Sequence, residues 1–458
     1  MTGIAGVVPG MGENCAVRHL QTMTGALKIN EDEILQEKAS PQVGLVGAAR
    51  PGQMALFEAG AVTLAWIGQF AADALTGEFA PPTASTGEGI IQRYLQAGAE
   101  ALCGLNGRYA LALWDADHRR LVIANDRLGL QPLYFWHNGA ALAFASKLKA
   151  LAGCPLLRKS LDPTALFDLL ATGQMLGEHT LLQDVQALPP ASLLLYEAGR
   201  LQVKTYWQPR LYQTGEPHPP PEDLAEPLVG LLRQAVERRL RPPISLLLTG
   251  GLDSRLLAGV LAGQPAGAVF ANTIGHERAA DVILARRVAQ AAGLDHVLIP
   301  VNPHYLEEYS GPCVRRTEGH MNCYAAWILG ERELPRWRQA ASLMTGVGGE
   351  AVSGRHVLAE RAGPDLTAAL RLLTGAHWKF HKAARLLRAV TAKTVPGILR
   401  TAVRTSAKVC KGWMERTSAP FSSAASSTSR PSMPLMCTTR QPLPSGRTDA
   451  RSRQASAM

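Results

Sequence analysis

Thr249-Gly250-Gly251-Leu252-Asp253-Ser254 lies between an apolar run at 244–248 and an apolar, helix-prone stretch at 256–260. A buried strand, a glycine turn and a helix amino terminus make an anion site. Glycines let backbone N–H groups approach phosphate oxygens, and the helix dipole adds positive potential. Thr249 and Ser254 bring hydroxyl donors to the same oxygens. Asp253 is out of place beside phosphate unless a cation bridges them, and Mg²⁺ does this by sharing carboxylate and phosphate oxygens. The GK[ST] ending of a Walker A loop is missing, so this is a phosphate loop of a different kind.

TGGLDS resembles the SGGLDS pyrophosphate loop of asparagine synthetases and their relatives. The resemblance implies that ATP is cleaved between its α and β phosphates to adenylate a carboxylate. It further implies that Thr249, Gly250, Gly251, Leu252, Asp253 and Ser254 hold the pyrophosphate while an amine displaces AMP to give an amide. The competing reading is a glycine turn in an unrelated α/β domain.

Residues Thr345-Gly346-Val347-Gly348-Gly349-Glu350-Ala351-Val352-Ser353-Gly354 look like the family's second loop, TGxGGDxxxG. That likeness places Gly346, Gly348 and Gly349 at the nucleotide and gives Asp253 and Glu350 metal-holding, catalytic roles, Glu350 on a longer stem than the family's aspartate. Val347 stands where active relatives carry glutamate or tyrosine. An isopropyl group neither accepts a proton nor polarises a nucleophile, so either another residue is the base or activity is reduced. Thr273 and Gly275, in the stretch 270–275, resemble the adenosine-side strand, with Asp281 and a helix ending before His296 beyond it. His296, with no second ligand at metal spacing, reads as structural. Arg316, Glu318 and His320 fall where relatives recognise the acceptor, and equally suit a polar surface loop.

Three further segments, 104–115 (GLNGRYALALWD), 125–134 (NDRLGLQPLY) and 144–151 (FASKLKAL), resemble the glutaminase domain of asparagine synthetases in order and spacing. That chemistry needs an amino-terminal cysteine whose thiolate attacks the amide. Thr2 occupies its place. Ile67 and Gln69 stand where the family shows asparagine and glutamate, and Thr86 where it shows aspartate. Arg50 is left as a carboxylate partner. The reading is a glutaminase that has lost its function and a domain kept for its structure.

Short apolar stretches at 61–66, 109–114, 121–124 and 141–145, with helices near 89–98 and 164–170, give the first half an α+β rhythm. The segment 207–222 is rich in proline and polar residues, as a linker is. Beyond it Leu224, Leu228, Leu231, Leu232 and Ala235 recur at helical spacing, followed by strand-like runs at 244–248 and 268–274 alternating with helices at 254–261 and 281–292. Alternation of this kind implies parallel βαβ units. The expected organisation is an α+β amino-terminal Ntn-hydrolase-like domain at 1–206, the linker, an α/β ATP-pyrophosphatase (PP-loop, adenine nucleotide alpha hydrolase-like) domain at 223–411, and a disordered or frame-shifted tail at 412–458.

With 47% hydrophobic and 18% charged residues, the 458-residue chain has the composition of a globular protein. No apolar run approaches the ~20 residues of a membrane span, and the first residues lack a signal-peptide pattern, so a cytoplasmic protein is expected. Seven scattered cysteines suggest neither disulfides nor zinc. The net charge of +10 is concentrated in 379–416 and the tail, which fits a solvated helix face better than a nucleic-acid surface. The expected activity is amide ligation using ATP and Mg²⁺ on a small-molecule or peptide carboxylate, without glutamine-derived ammonia. Ring closure of the β-lactam or lasso-peptide kind, a tRNA-modifying enzyme and an inactive nucleotide-binding homologue are the alternatives. A homodimer is left open.

Overall fold

The computed structural model describes residues 3–349 apart from 11–15, 29–31, 52, 54, 72–82, 210–218, 321–322 and 334–338. The chain divides into two compact units, Met1–Trp413 and Met414–Met458, and the described residues all belong to the first. Expectations for Thr2, Glu350 and the tail therefore lie outside the described residues.

The amino-terminal half contains strands β1 (Gly3–Val8), β2 (Ile34–Ala39), β3 (Gly44–Ala49), β4 (Leu56–Ala59), β5 (Val62–Ala71), β6 (Asn106–Asp115), β7 (Arg120–Asn125), β8 (Tyr134–His137), β9 (Leu142–Ala145), β10 (Val185–Ala187), β11 (Ser192–Glu197) and β12 (Arg200–Thr205). Its helices are α1 (Ala16–Thr24), α2 (Ala84–Ala97), α3 (Leu148–Gly153) and α4 (Pro163–Thr172). The strands form two antiparallel sheets, ordered β10-β8-β9-β1-β3-β2 and β12-β11-β7-β6-β5-β4.

Successive side chains of a strand point to opposite faces, and here both faces of the central strands are covered. Ile4, Leu45 and Phe144 of the first sheet meet Ala65, Ile67, Ala112 and Ile123 of the second. The neighbours Ala5, Val7 and Val46 turn to the other face, against Leu20 and Met23 of α1 and Leu151 of α3. Leu64, Trp66 and Leu111 turn outward from the second sheet onto Ile90, Ile91 and Tyr94 of α2. The result is a four-layer α-β-β-α sandwich. Burial on both faces explains why β1, β3 and β9 read as unbroken apolar runs.

The NDRLGLQPLY segment is built around one carboxylate. Asp126, 1% exposed, accepts from the backbone N–H groups of Tyr109, Leu128, Leu130 and Gln131 at 3.0–3.2 Å. Asn125 beside it donates to the carbonyls of Leu188 and Pro189 and accepts from Ser192 N–H. These two side chains join three loops, which accounts for the segment without a catalytic role.

The second half runs α5 (Pro221–Glu237), β13 (Ile244–Leu247), α6 (Leu252–Leu261), β14 (Val269–Ile274), α7 (Ala280–Ala291), β15 (Asp295–Ile299), α8 (Tyr305–Thr317) and β16 (Ser342–Thr345). Its four strands are parallel and ordered β15-β14-β13-β16. Ile244, Leu246, Val269 and Ala271 pack on Ala258 and Leu261 of α6 and Ala285 and Ala289 of α7. The helix expected over 224–235 is present, but Leu224, Leu228 and Leu231 are exposed and only Val236 at its end is buried. Leu232, half-buried, packs beside Val236 on the core of this half, so among the described residues only the later part of the stripe is covered. Among them, no helix is long and apolar enough to cross a membrane.

Candidate active site

Strand β13 sits between β14, which follows it in sequence, and β16, which arrives after two further crossovers. Strand order reverses there, and in open parallel sheets ligands occupy the crevice at the carboxyl ends of the strands flanking such a reversal. Residues 248–251 leave β13 at that end and 346–349 leave β16 beside them, with Leu247 paired to Thr345.

The two loops are packed on each other. A Cβ added to Gly346 would lie 2.7 Å from Ser254 N, and one added to Gly349 would lie 2.6 Å from Asp253 Cγ and 2.7 Å from its Oδ1. Glycine is thus required at both positions by space. Across the first loop, a Cβ on Gly250 would meet Asp281 Oδ1 at 2.5 Å. Asp253 and Asp281, each in the first turn of its helix, thus both pack against glycines of these loops.

Hydrogen bonds within the loop set its shape. Thr249 N–H donates to Ser254 Oγ at 3.1 Å, and Gly251 N–H to Thr249 Oγ1 at 3.1 Å. The two hydroxyls are themselves 3.1 Å apart. Helix α6 has Gly251 at its amino-terminal cap with no side-chain cap. The first N–H groups of a helix have no intrahelical acceptor, so this end is open to an anion. Gly348 and Val347 lie at the rim, Val347 81% exposed.

Two expectations change. Thr273, placed at the nucleotide by resemblance, is 1% exposed, and its hydroxyl is shared between Leu248 O at 2.7 Å and His296 Nε2 at 2.8 Å. It lies beneath the loop and does not line the crevice. Gly275 N–H is likewise engaged, by Ile299 O at 3.0 Å.

The second change concerns Glu318 and His320. Glu318 ends α8 in a left-handed conformation (φ 56°, ψ 30°), and its carboxylate accepts from Leu148 N–H at 2.8 Å and Lys149 N–H at 3.2 Å, at the start of α3. The His320 ring stacks on Tyr134 at 5.4 Å, with Nε2 3.0 Å from the tyrosine hydroxyl. Both side chains, which suited either acceptor recognition or a polar surface loop, are clasped to the amino-terminal sandwich. Burial lowers the basicity of His320 and of Lys147, which the Glu318 charge partly offsets in each. Arg316 sits half-buried in the last turn of α8.

The positions compared with a glutaminase pocket scatter in environment. Ile67 is 2% exposed and points into the core between the sheets, Gln69 and Arg50 are exposed, and Thr86 contacts Thr83 at the start of α2. Arg255 was missed by sequence reasoning. Its Nε and Nη2 donate to Gly250 O at 3.2 and 2.5 Å. An arginine directly after the loop's serine was the available signal.

Two family models match the chain: a glutamine amidotransferase domain over residues 73–207 and asparagine synthase over residues 228–431. Among curated relatives, asparagine synthetase [glutamine-hydrolyzing] 3 of Bacillus subtilis is 28% identical over 180 residues, 39% of this chain and 29% of the relative. A putative asparagine synthetase [glutamine-hydrolyzing] of Mycobacterium bovis is 26% identical over 223 residues, 47% of this chain and 34% of the relative. Amidase chyE of Penicillium rubens is 28% identical over 196 residues, 42% and 28% of the two chains. The matched part spans about a third of the length of these relatives. Of solved structures, the glutamine phosphoribosylpyrophosphate amidotransferase of B. subtilis aligns at 13% identity and TM-score 0.29 over 66% of this chain and 67% of its own.

Proposed function

Because the chain belongs to the asparagine synthetase family, with an amidotransferase-type domain ahead of an asparagine synthase domain, we propose that it is an ATP-dependent carbon–nitrogen ligase. A carboxylate oxygen of the substrate attacks the α-phosphorus of ATP, the bond to the bridging oxygen breaks, and pyrophosphate departs into the loop 249–254. An amine then attacks the acyl carbon, AMP leaves, and an amide remains. The observation that supports this most is the convergence of two glycine loops on Asp253 at the reversal of a parallel sheet.

The residues present suit a divalent cation. Asp253 offers a hard oxygen donor beside an anion site, packed against Gly349, and Glu350, the next residue, would supply the second carboxylate. Magnesium, when bound there, neutralises charge shared between these carboxylates and the phosphates. The loop's part is to aim N–H groups at the diphosphate. Such preorganised donors act where charge develops as the bond breaks.

The amine is free ammonia or an amine on the substrate itself. Ile67 supports this reading, since an apolar side chain turned into the sheet-to-sheet core cannot hold the polar ends of glutamine. An internal amine would make the reaction a ring closure of the β-lactam or macrolactam kind. The test is ATP–pyrophosphate exchange over a library of carboxylates, with and without ammonia. Exchange with one acid, abolished in Asp253→Asn, is the expected result. A folded chain that binds no ATP and exchanges with none refutes the ligase and leaves an inactive homologue.

A further inference from the structure

The carbonyl groups from Leu248 to Gly251 all accept hydrogen bonds from the chain itself. Leu248 O accepts from Thr273 Oγ1 at 2.7 Å and Thr249 O from Ser254 Oγ at 3.2 Å. Gly250 O accepts from the Arg255 guanidinium at 3.2 and 2.5 Å, and Gly251 O from Arg255 N–H at 3.4 Å. Direction matters here. A carbonyl oxygen aimed at a diphosphate repels it and an amide N–H attracts it, so a loop that offers N–H donors to a diphosphate must keep its carbonyls turned away.

The first of these carbonyls is held from two strands away. His296, on β15, brings Nε2 to 2.8 Å from Thr273 Oγ1 on β14, which in turn reaches Leu248 O at the end of β13. Counting protons settles the direction of each bond. A carbonyl only accepts, so the single hydroxyl proton of Thr273 lies toward Leu248. The Thr273 oxygen is then an acceptor toward His296, whose Nε2 must carry a proton. The imidazole is therefore fixed in one tautomer when neutral. Burial, and secondarily the Arg286 charge, disfavour its taking a second proton.

We propose that His296, acting through Thr273, is a positioning residue for the phosphate loop: the relay His296 Nε2–H to Thr273 Oγ1–H to Leu248 O retracts the carbonyl that precedes the loop and leaves the N–H groups of Gly250 and of the first turn of α6, which the loop's own hydroxyls do not engage, for the diphosphate. Thr273 is 1% exposed beneath the loop, and His296 stands behind it on β15. Their effect reaches the phosphates only through the backbone. The inference rests on the reading of 249–254 as a diphosphate site.

The experiment titrates magnesium pyrophosphate into the full-length chain by calorimetry, for the wild type and for Thr273→Val, Thr273→Ser, His296→Leu and His296→Gln, each with a thermal melt. Valine keeps the shape of threonine and removes the relay; serine and glutamine retain donors. Thr273→Val and His296→Leu are expected to bind about tenfold more weakly, and Thr273→Ser and His296→Gln within about twofold of wild type. A merely structural role lowers the melting midpoint and leaves the affinity of the folded fraction unchanged. Wild-type affinity in Thr273→Val and His296→Leu overturns the relay, and His296→Leu alone decides if the valine variant does not fold. A folded wild type that fails to bind magnesium pyrophosphate overturns the site itself.

Discussion

Glu318 is the residue for which substrate recognition and structural support predict opposite results, and Glu318→Ala separates them. The substitution removes the acceptor of two backbone N–H groups at the start of α3. The bond to Leu148 N–H at 2.8 Å is short and charge-assisted, worth ~1.5–3 kcal/mol, and that to Lys149 N–H at 3.2 Å is longer, worth ~0.5–1 kcal/mol. Water reaches the partly exposed site and replaces some of this, so the expected loss is ~2–3 kcal/mol. A second effect provides an internal check. At φ 56° alanine keeps the left-handed strain that glycine relieves, so Glu318→Gly should be more stable than Glu318→Ala by ~1 kcal/mol. Glu318→Gln, with one acceptor oxygen, should fall between wild type and alanine. Urea unfolding followed by tryptophan fluorescence reads these values, because Trp66, Trp114 and Trp136 lie buried in the domain that the clasp holds. A Glu318→Ala chain within ~0.5 kcal/mol of wild type, below what one buried hydrogen bond contributes, would show that the clasp contributes nothing. A glycine variant less stable than the alanine variant would remove the argument from backbone strain.

Two further outcomes follow from buried polar groups. His320 is less basic folded than unfolded because burial disfavours its charge; its contribution is complete above the ordinary histidine value near 6.5 and is lost as pH falls below it, so His320→Gln should flatten the acid side of the stability–pH curve, and an unchanged curve would exclude this histidine as the cause. Asp126→Ala leaves four N–H groups without their acceptor and should cost ~3–5 kcal/mol in urea denaturation; a loss under ~1 kcal/mol, the size of one ordinary bond, would mean that the 125–134 segment holds its shape by other means.

The glycine loop at 249–254 was legible because its parts are contiguous. An apolar run, two glycines, a carboxylate and a helix-prone stretch follow one another within the reach of local structure, and the helix came two residues earlier than its apolar spacing alone placed it. The strands of the amino-terminal half were legible only in outline. Strand β5 runs on to Ala71, past the apolar stretch that marked it, because pairing with β6 rather than side-chain type sets its length. For α5 the periodicity showed which residues share a face and not what covers them: Leu224, Leu228 and Leu231 are exposed, while Leu232 packs on the core.

Sequence by itself determined where backbone turns back on itself with glycine and where a helix must start, and hence which amino-terminal helix end would suit an anion, because those depend on neighbours a few residues apart. Tertiary structure alone decided what Glu318, His320 and Thr273 do. Their partners are 170, 186 and 23 residues away. A polar side chain takes its role from whichever donor or acceptor the fold brings within about 3 Å, and strand register and helix docking, not local pattern, choose that partner.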